Sequence, residues 1–497
     1  METENSKVYF SDYFEISHDT IENYGALDIA LVCDNPAFVD PFLIFANPKY
    51  KDQHAFIIKY LEFLRDKAIS DSDKGWSNGD FKHYYKFSEV KQAWLGYSID
   101  GNAGLGLGVH FAKSLYDNLN KIFANFGNEK ITASAHLEKL CLVEEGVGID
   151  KISDFTLNLI KSYILEYTQK FALKYIDKKF IKEFPIKKTS FNFDTGLWED
   201  GRLKLPFLKH KNVEDFVLLI PQDILTRKET WISKNDFLKN NNKIFYSVDN
   251  EELRTKLNKY FYDNLLLKLN KERRFVKDNS QKSKKVAILK TLQEYPEILD
   301  YYIKSKEKET NIALKTHIAD PEKVNFYFDT DQIQTNFRDK TFSKILSIND
   351  CIDRIRFFKQ VIESNSKTLE IKGTRVQEKQ LQIMFKMTTF GSLFDYNSEV
   401  NNGRGPIDFI ISMGSIDKIG LELKLASSTK LKQNLKNQGD VYQIDSNLKH
   451  VIKVIFFFTD EELERVKKIL NELEKEVDNY EIFIIDCRKK ESASNKK

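Results

Sequence analysis

The sequence predicts an α/β protein: a C-terminal mixed sheet flanked by helices, preceded by a large α/β or α+β N-terminal region. Three patterns carry that prediction. Through the first 200 residues, strand-like runs such as Leu27 to Val32 alternate with helical ones such as Gln53 to Ala68. Near the end, Gly403 to Ile411 and Gly420 to Leu425 flank a polar turn, as the two strands of a hairpin do. Beyond them, Val451 to Phe458 is almost continuously apolar, which suits a strand covered on both faces.

With 497 residues, 41% of them hydrophobic, the chain has material for two or three cored domains. The net charge of +3 comes from 77 basic and 74 acidic residues, so any signal for nucleic acid must be local. Cys33, Cys141, Cys351 and Cys487 lie far apart and make no zinc-type pattern with the eight histidines, which predicts free thiols. The polar, acidic start and the lack of any apolar run of about 18 residues predict a cytoplasmic protein with no membrane span.

Region 1–200 comes first. Its opening fifty residues hold nine acids against two lysines, which argues against a grip on phosphate. That composition points instead to a face toward a regulatory protein, a second copy, or another part of the chain. Gly101, Gly104, Gly106 and Gly108 then lead into a helix from about Phe111 to Phe126, the layout of an anion site at a helix N-terminus. The spacing lacks the Gly-Lys-Ser/Thr ending of a P-loop and the dinucleotide fingerprint, so a tight structural loop is the plainer reading, with nucleotide sensing as the alternative. After Gly146, a long amphipathic helix is expected through about Ile176. Asp150 and Asp154 could pair as acids there, but Ser153 or Asp154 as its cap is the commoner explanation. The polar, glycine-containing stretch Asp194 to Arg202 punctuates the chain and sets a boundary near residue 200.

Region 201–345 reads as mainly helical and locally basic. From Lys268 to Lys290 it carries nine basic residues, among them Arg273, Arg274, Lys284 and Lys285, against Glu272 and Asp278. Such a run either contacts phosphates, with Phe275, Tyr260 and Tyr262 available for stacking, or is a solvated loop.

Region 346–497 opens with an amphipathic helix, Ile348 to Glu363, and a polar break follows at Ser364. Glu378 begins the next helix, one turn ahead of the stripe Leu381, Met384, Phe385 and Thr388. In the hairpin, the two-residue period of a strand sets Gly420, Glu422 and Lys424 on one face and Leu421, Leu423 and Leu425 on the other. Asp408, from the adjacent strand, can bring a second carboxylate to Glu422, which is costly unless a cation sits between them. Mg²⁺, with Mn²⁺ as its substitute, is held by one or two carboxylates plus waters and phosphate oxygens. Lys424 adds an ammonium that can orient the attacking water or neutralise charge on a scissile phosphate. These groups suit phosphodiester hydrolysis. A helix from about Ser428 to Ile444 follows, with Leu431, Leu435, Gln438 and Tyr442 on its inward stripe. Lys430, Lys432 and Lys436, with Arg404, are candidate nucleic-acid contacts. A charged helix from Asp460 to about Val477, a strand from Tyr480 to Asp486 and a polar tail complete the chain.

Pro406-Ile407-Asp408 followed by Glu422-Leu423-Lys424 resembles the signature of the PD-(D/E)XK, or restriction-endonuclease-like, nuclease superfamily, over roughly residues 367–488. Context carries the resemblance, because Glu89-Val90-Lys91 and Glu370-Ile371-Lys372 repeat Glu-x-Lys without a preceding acidic strand. The resemblance implies that Glu378 joins Asp408 and Glu422 as a metal ligand and that Lys424 is catalytic. By the Gln-x3-Tyr of the RecB-type subgroup, it implies that Gln438 and Tyr442 are catalytic positioners. It further implies a Mg²⁺-dependent endonuclease acting on DNA, with RNA left open, in bacterial defence against foreign DNA. A DNA repair nuclease and a catalytically silent nucleic-acid-binding or scaffold protein are the alternatives.

Overall fold

The computed structural model describes residues 8–488 other than 33, 73–82, 97–106, 144–146, 211–212, 227–229, 270–274, 279, 317–346, 365–375, 390–391, 393, 402–405, 414–415, 437–447, 449, 476 and 478–479. It is mixed α/β. One apolar cluster runs from Phe10 to Ala313, so the regions expected to part near residue 200 share a core. The polar stretch there is not a linker. Ile181–Asn192 pairs antiparallel with Leu197–His210, and Gly196, at φ +68°, makes the turn between them in the backbone region glycine enters without cost.

Two helices expected from their apolar period form as Lys51–Ser70 and Val109–Lys121. Of the glycine-rich run, Gly101, Gly104 and Gly106 lie outside the described residues, and Gly108 is the N-cap of the second helix. Leu27 to Val32 is not a strand. It makes only the isolated bridges Ala26↔Pro221 and Tyr9↔Ala30 around its ends, and the Asp28 carboxylate accepts from Ser11 N at 3.0 Å and Ser11 Oγ at 2.6 Å. The single helix expected up to Ile176 is two, Ile149–Leu159 and Lys161–Tyr175, and Gly148 is the N-cap of the first. Ser153 is therefore no cap. Its Oγ instead accepts the Val39 N–H at 2.9 Å, tying this helix to the short strand Phe38–Val39.

The C-terminal domain is a five-stranded sheet with helices on both faces. Its elements are α1 (Ser347–Ser364), α2 (Glu378–Thr388), β1 (Asp395–Asn401), β2 (Pro406–Met413), β3 (Ile416–Leu425), β4 (His450–Phe457), α3 (Asp460–Glu472) and β5 (Ile482–Asp486). The strand order is β5-β4-β3-β2-β1, with β1, β2 and β3 antiparallel and β3, β4 and β5 parallel. β4 is apolar from Val451 to Phe457 except for Lys453, as suits a strand covered on both faces. Ile452, Val454 and Phe456 join the core with Ile355 and Phe358 of α1 and Met384 and Phe385 of α2, while Ile455 and Phe457 pack with Val466 and Leu470 of α3. Fully burying such side chains stabilises by about 1.5–3 kcal/mol each, which fixes the sheet's register.

The first core of this domain is not made by the C-terminal chain alone. Val8, Tyr9 and Ala30 belong to it, and the Tyr9 hydroxyl lies 3.9 Å from Met387 Sδ. Among the described residues, no helix is long and apolar enough to cross a membrane, and the described free thiols, Cys351 and Cys487, are buried.

Candidate active site

The hairpin expected from the sequence forms, with Ile419 opposite Ile411, Gly420 opposite Ile410 and Leu421 opposite Phe409. A Cβ at Gly420 would stand 2.4 Å from Ile407 Cδ1, so any larger residue there requires the buried Ile407 side chain to move. The ladder between β2 and β3 ends at Leu421, which leaves later N–H groups of β3 open to other acceptors. Acidic side chains take two of them. Asp408 Oδ2 accepts from Leu423 N at 2.6 Å, and Glu378 Oε1, at the start of α2, accepts from Leu425 N at 3.2 Å.

The alternation of β3 sends Leu421 and Leu423 into the apolar core and Glu422 and Lys424 to the other face. Lys424 Nζ reaches Asp408 Oδ2 at 3.4 Å. Asp408 and Glu422 are 7% and 0% exposed, so both carboxylates are nearly out of water. Burial pushes the Glu422 carboxyl up to about 7; Asp408 and Glu378 add repulsion, and Lys424 and Lys453 oppose it. Asp408 and Glu378 are also raised, chiefly by burial, with Lys424 the main opposing charge. For Lys424, burial alone would lower the ammonium's affinity for its proton, but the carboxylates of Asp408, Glu422 and Glu378 outweigh it and raise its pKa.

Two residues of this cluster were not legible as functional. Gln382, one helical turn after Glu378, is 6% exposed and donates from Nε2 to Asp408 Oδ1 at 2.7 Å. Its spacing of four from Glu378 was the available signal. Lys453 stands opposite Glu422 in the parallel β3–β4 register, is 4% exposed, and donates to the Asn434 carbonyl at 3.1 Å. A lysine within an apolar strand facing an acid was its signal.

Among the described residues, no three His, Cys, Asp or Glu side chains are placed to hold a metal ion together. Glu378 is instead directed to the Leu425 backbone. What fits a divalent ion is the pair Asp408 and Glu422. The donors are hard oxygens, their mutual repulsion reflects uncompensated negative charge, and the Gln382 Oε1 beside them is buried without a hydrogen-bond partner among the described residues. Two carboxylates are a sufficient protein contribution for Mg²⁺, which keeps several waters.

Gln438, Tyr442, Arg404, Arg273 and Arg274 lie outside the described residues. Residues 431–436 are helical, and Lys430, Lys432 and Lys436 are exposed, with Lys432 paired to Glu472 at 2.6 Å. In the basic segment, Phe275 is 73% exposed, and the Lys277 ammonium lies 5.5 Å from the centre of the exposed Tyr262 ring. Tyr260 packs edge-on against Tyr295 and is half-buried. Lys284 is half-buried and Lys285 exposed on the helix Gln281–Glu294.

Residues 15–233 match the model of a domain of unknown function (DUF8370), and residues 348–460 match that of a second (DUF8371). The second match ends just after β4, so it includes Glu378, Gln382, Asp408, Glu422, Lys424 and Lys453. No curated protein and no solved structure matches the chain.

Proposed function

We propose that the C-terminal domain is a PD-(D/E)XK-type, Mg²⁺-dependent nuclease that hydrolyses phosphodiester bonds in DNA. The observation that carries this reading is the convergence of Asp408, Glu422 and Lys424 where β2 and β3 part, with Glu378 bonded to the same stretch of β3. Asp408 and Glu422 would hold the ion. A bound Mg²⁺ supplies Lewis-acid polarisation of the phosphate and a more acidic water.

The chain's own groups do the rest. Lys424, kept protonated by three acids, offers an ammonium that can neutralise charge developing on a non-bridging phosphate oxygen. The N–H of Leu423 and the carboxamide of Gln382 hold the Asp408 carboxylate from two sides, so its orientation is set before substrate arrives. Glu378 fixes α2 to the end of β3. A role in defence against foreign DNA follows the resemblance to restriction-type enzymes and is the biological setting we assign.

The test is incubation of the full chain with supercoiled, linear and single-stranded DNA, and with RNA, in Mg²⁺ or EDTA. Cleavage of DNA that needs Mg²⁺ and disappears in Asp408→Ala is expected. DNA binding without cleavage under any of these conditions would reject the nuclease and favour a silent binding domain.

A further inference from the structure

Gln382 stands out because its environment asks so much of one side chain. It sits in α2 among Leu381, Ile383, Met384 and Phe385, all 1% exposed or less, where an apolar residue would pack without cost. Instead a carboxamide is buried, with Nε2 spent on Asp408 Oδ1 at 2.7 Å and Oε1 without a partner among the described residues. A buried carbonyl oxygen without a donor is ordinarily costly, since it has given up water and received nothing in return. The neighbouring Gln380 is a useful contrast. It is buried too, and its Nε2 likewise finds no partner among the described residues, but its Oε1 accepts the Gln377 N–H at 3.0 Å, so its one bond serves its own helix start and not an acid on another element.

We infer that Gln382 is a positioning residue of the proposed nuclease site: its amide holds Asp408 in the orientation that receives the divalent ion, and its free oxygen is an acceptor kept for a water that arrives with that ion. The inference rests on the nuclease reading for the identity of the ion. The planar carboxamide ties the two functions together, because anchoring Nε2 on Asp408 keeps Oε1 beside the same carboxylate. Asp408 cannot be held this way by Leu423 N and Lys424 alone, since both bind the other oxygen, Oδ2. Partners of this kind outside the metal ligands typically govern affinity or activity by about 10–100-fold.

The deciding measurement is Mn²⁺ binding to the full chain without nucleic acid, followed by electron paramagnetic resonance or calorimetry, for wild type, Gln382→Met, Gln380→Met and Asp408→Ala. Gln382→Met keeps the volume and removes both polar groups. It should weaken Mn²⁺ binding about tenfold or more and raise the Mg²⁺ concentration for half-maximal cleavage, with the plateau rate less affected. Gln380→Met should change the melting temperature but not Mn²⁺ affinity. If Gln382→Met fails to fold, Gln382→Leu or Gln382→Asn carries the same expectation. A folded variant at position 382 that binds Mn²⁺ as wild type does overturns the inference while leaving the nuclease reading intact. Wild type that binds Mn²⁺ no better than Asp408→Ala, and cuts nothing, overturns both.

Discussion

Among the described residues of the C-terminal domain, two buried polar clusters differ in charge balance and in how completely they are closed. In one, Arg354, 1% exposed, donates from Nε to Asp350 Oδ2 at 2.8 Å and from a guanidinium NH to the Thr388 carbonyl. The same Asp350 oxygen accepts from Ser392 Oγ and the Tyr396 hydroxyl, each at 2.8 Å. One cation meets one anion and neutral donors complete the shell, so the cluster joins α1 to the end of α2 and to β1. In the other, three acids gather around Lys424, Glu422 is raised to about 7, and Gln382 Oε1 is unmatched. A closed cluster spends its polarity on shape. An open one keeps capacity for something that arrives later.

The largest expected effects set the two clusters against each other. Asp408→Ala or Glu422→Ala should abolish cleavage in a protein that still folds, and Glu422→Ala, which relieves carboxylate repulsion, should leave the melting temperature at or above wild type. Arg354→Met should instead destabilise the fold, by up to about 3 kcal/mol, by leaving the Asp350 carboxylate, 13% exposed, without its cation, and lose activity only as the fold is lost. Paired plasmid-cleavage and thermal-unfolding assays decide it; Arg354→Met that is stable but inactive would place the closed cluster in function.

Lys424→Ala comes next. Losing a group that stabilises developing charge should slow cleavage by about 10²–10³-fold with Mg²⁺ still bound. Wild-type rates in this variant would misplace the site.

Third, the open cluster should make stability depend on pH. Glu422 is raised from 4.5 to about 7, so between those values the folded state binds the proton that the unfolded state has released. Stability of the metal-free protein should therefore fall as pH rises from about 4.5 through 7, by on the order of 3 kcal/mol at most. Glu422→Gln should flatten that fall, and added Mg²⁺ should restore stability most above pH 7. Identical pH profiles for wild type and Glu422→Gln would show that Glu422 is not the group responsible.

The smallest effect concerns Lys453, which opposes the rise in Glu422. Lys453→Met should move the Glu422 titration upward and carry the acidic limb of the cleavage–pH profile with it. A lowered melting temperature with that limb unmoved would reduce Lys453 to its bond with the Asn434 carbonyl.

Asp408, Glu422 and Lys424 were legible because strand alternation and apolar neighbours leave those side chains only one face. Glu378 was legible as the first residue of an amphipathic helix, although its bond to Leu425 N was not, since that depends on β2 and β3 separating after Leu421. Gln382 and Lys453 escaped because a polar residue beside an apolar stripe reads as surface until a neighbour across the fold claims it. β1 escaped for a related reason: Asp395-Tyr396-Asn397-Ser398 is too polar to announce a strand, and its position at the sheet edge tolerates that. The hairpin of Ile181–Asn192 and Leu197–His210 was hidden by a turn that has the composition of a linker. Leu27 to Val32 misled in the opposite direction, since burial on all sides gives a short irregular segment the apolar content of a strand.

The seat of Tyr9 beside Met387 orders events during synthesis. The two residues are 378 apart, which at the usual pace of about 5–20 residues per second is roughly 20–75 s of translation. Throughout that interval the ribosome holds a chain whose first apolar residues await a partner not yet made. Because domains generally fold as units with the N-terminal one first during synthesis, Val8, Tyr9 and Ala30 would be in place before α2 emerges to meet them. A nascent chain released early lacks the strands bearing Asp408 and Glu422, so a truncated product has no acidic pair to arm.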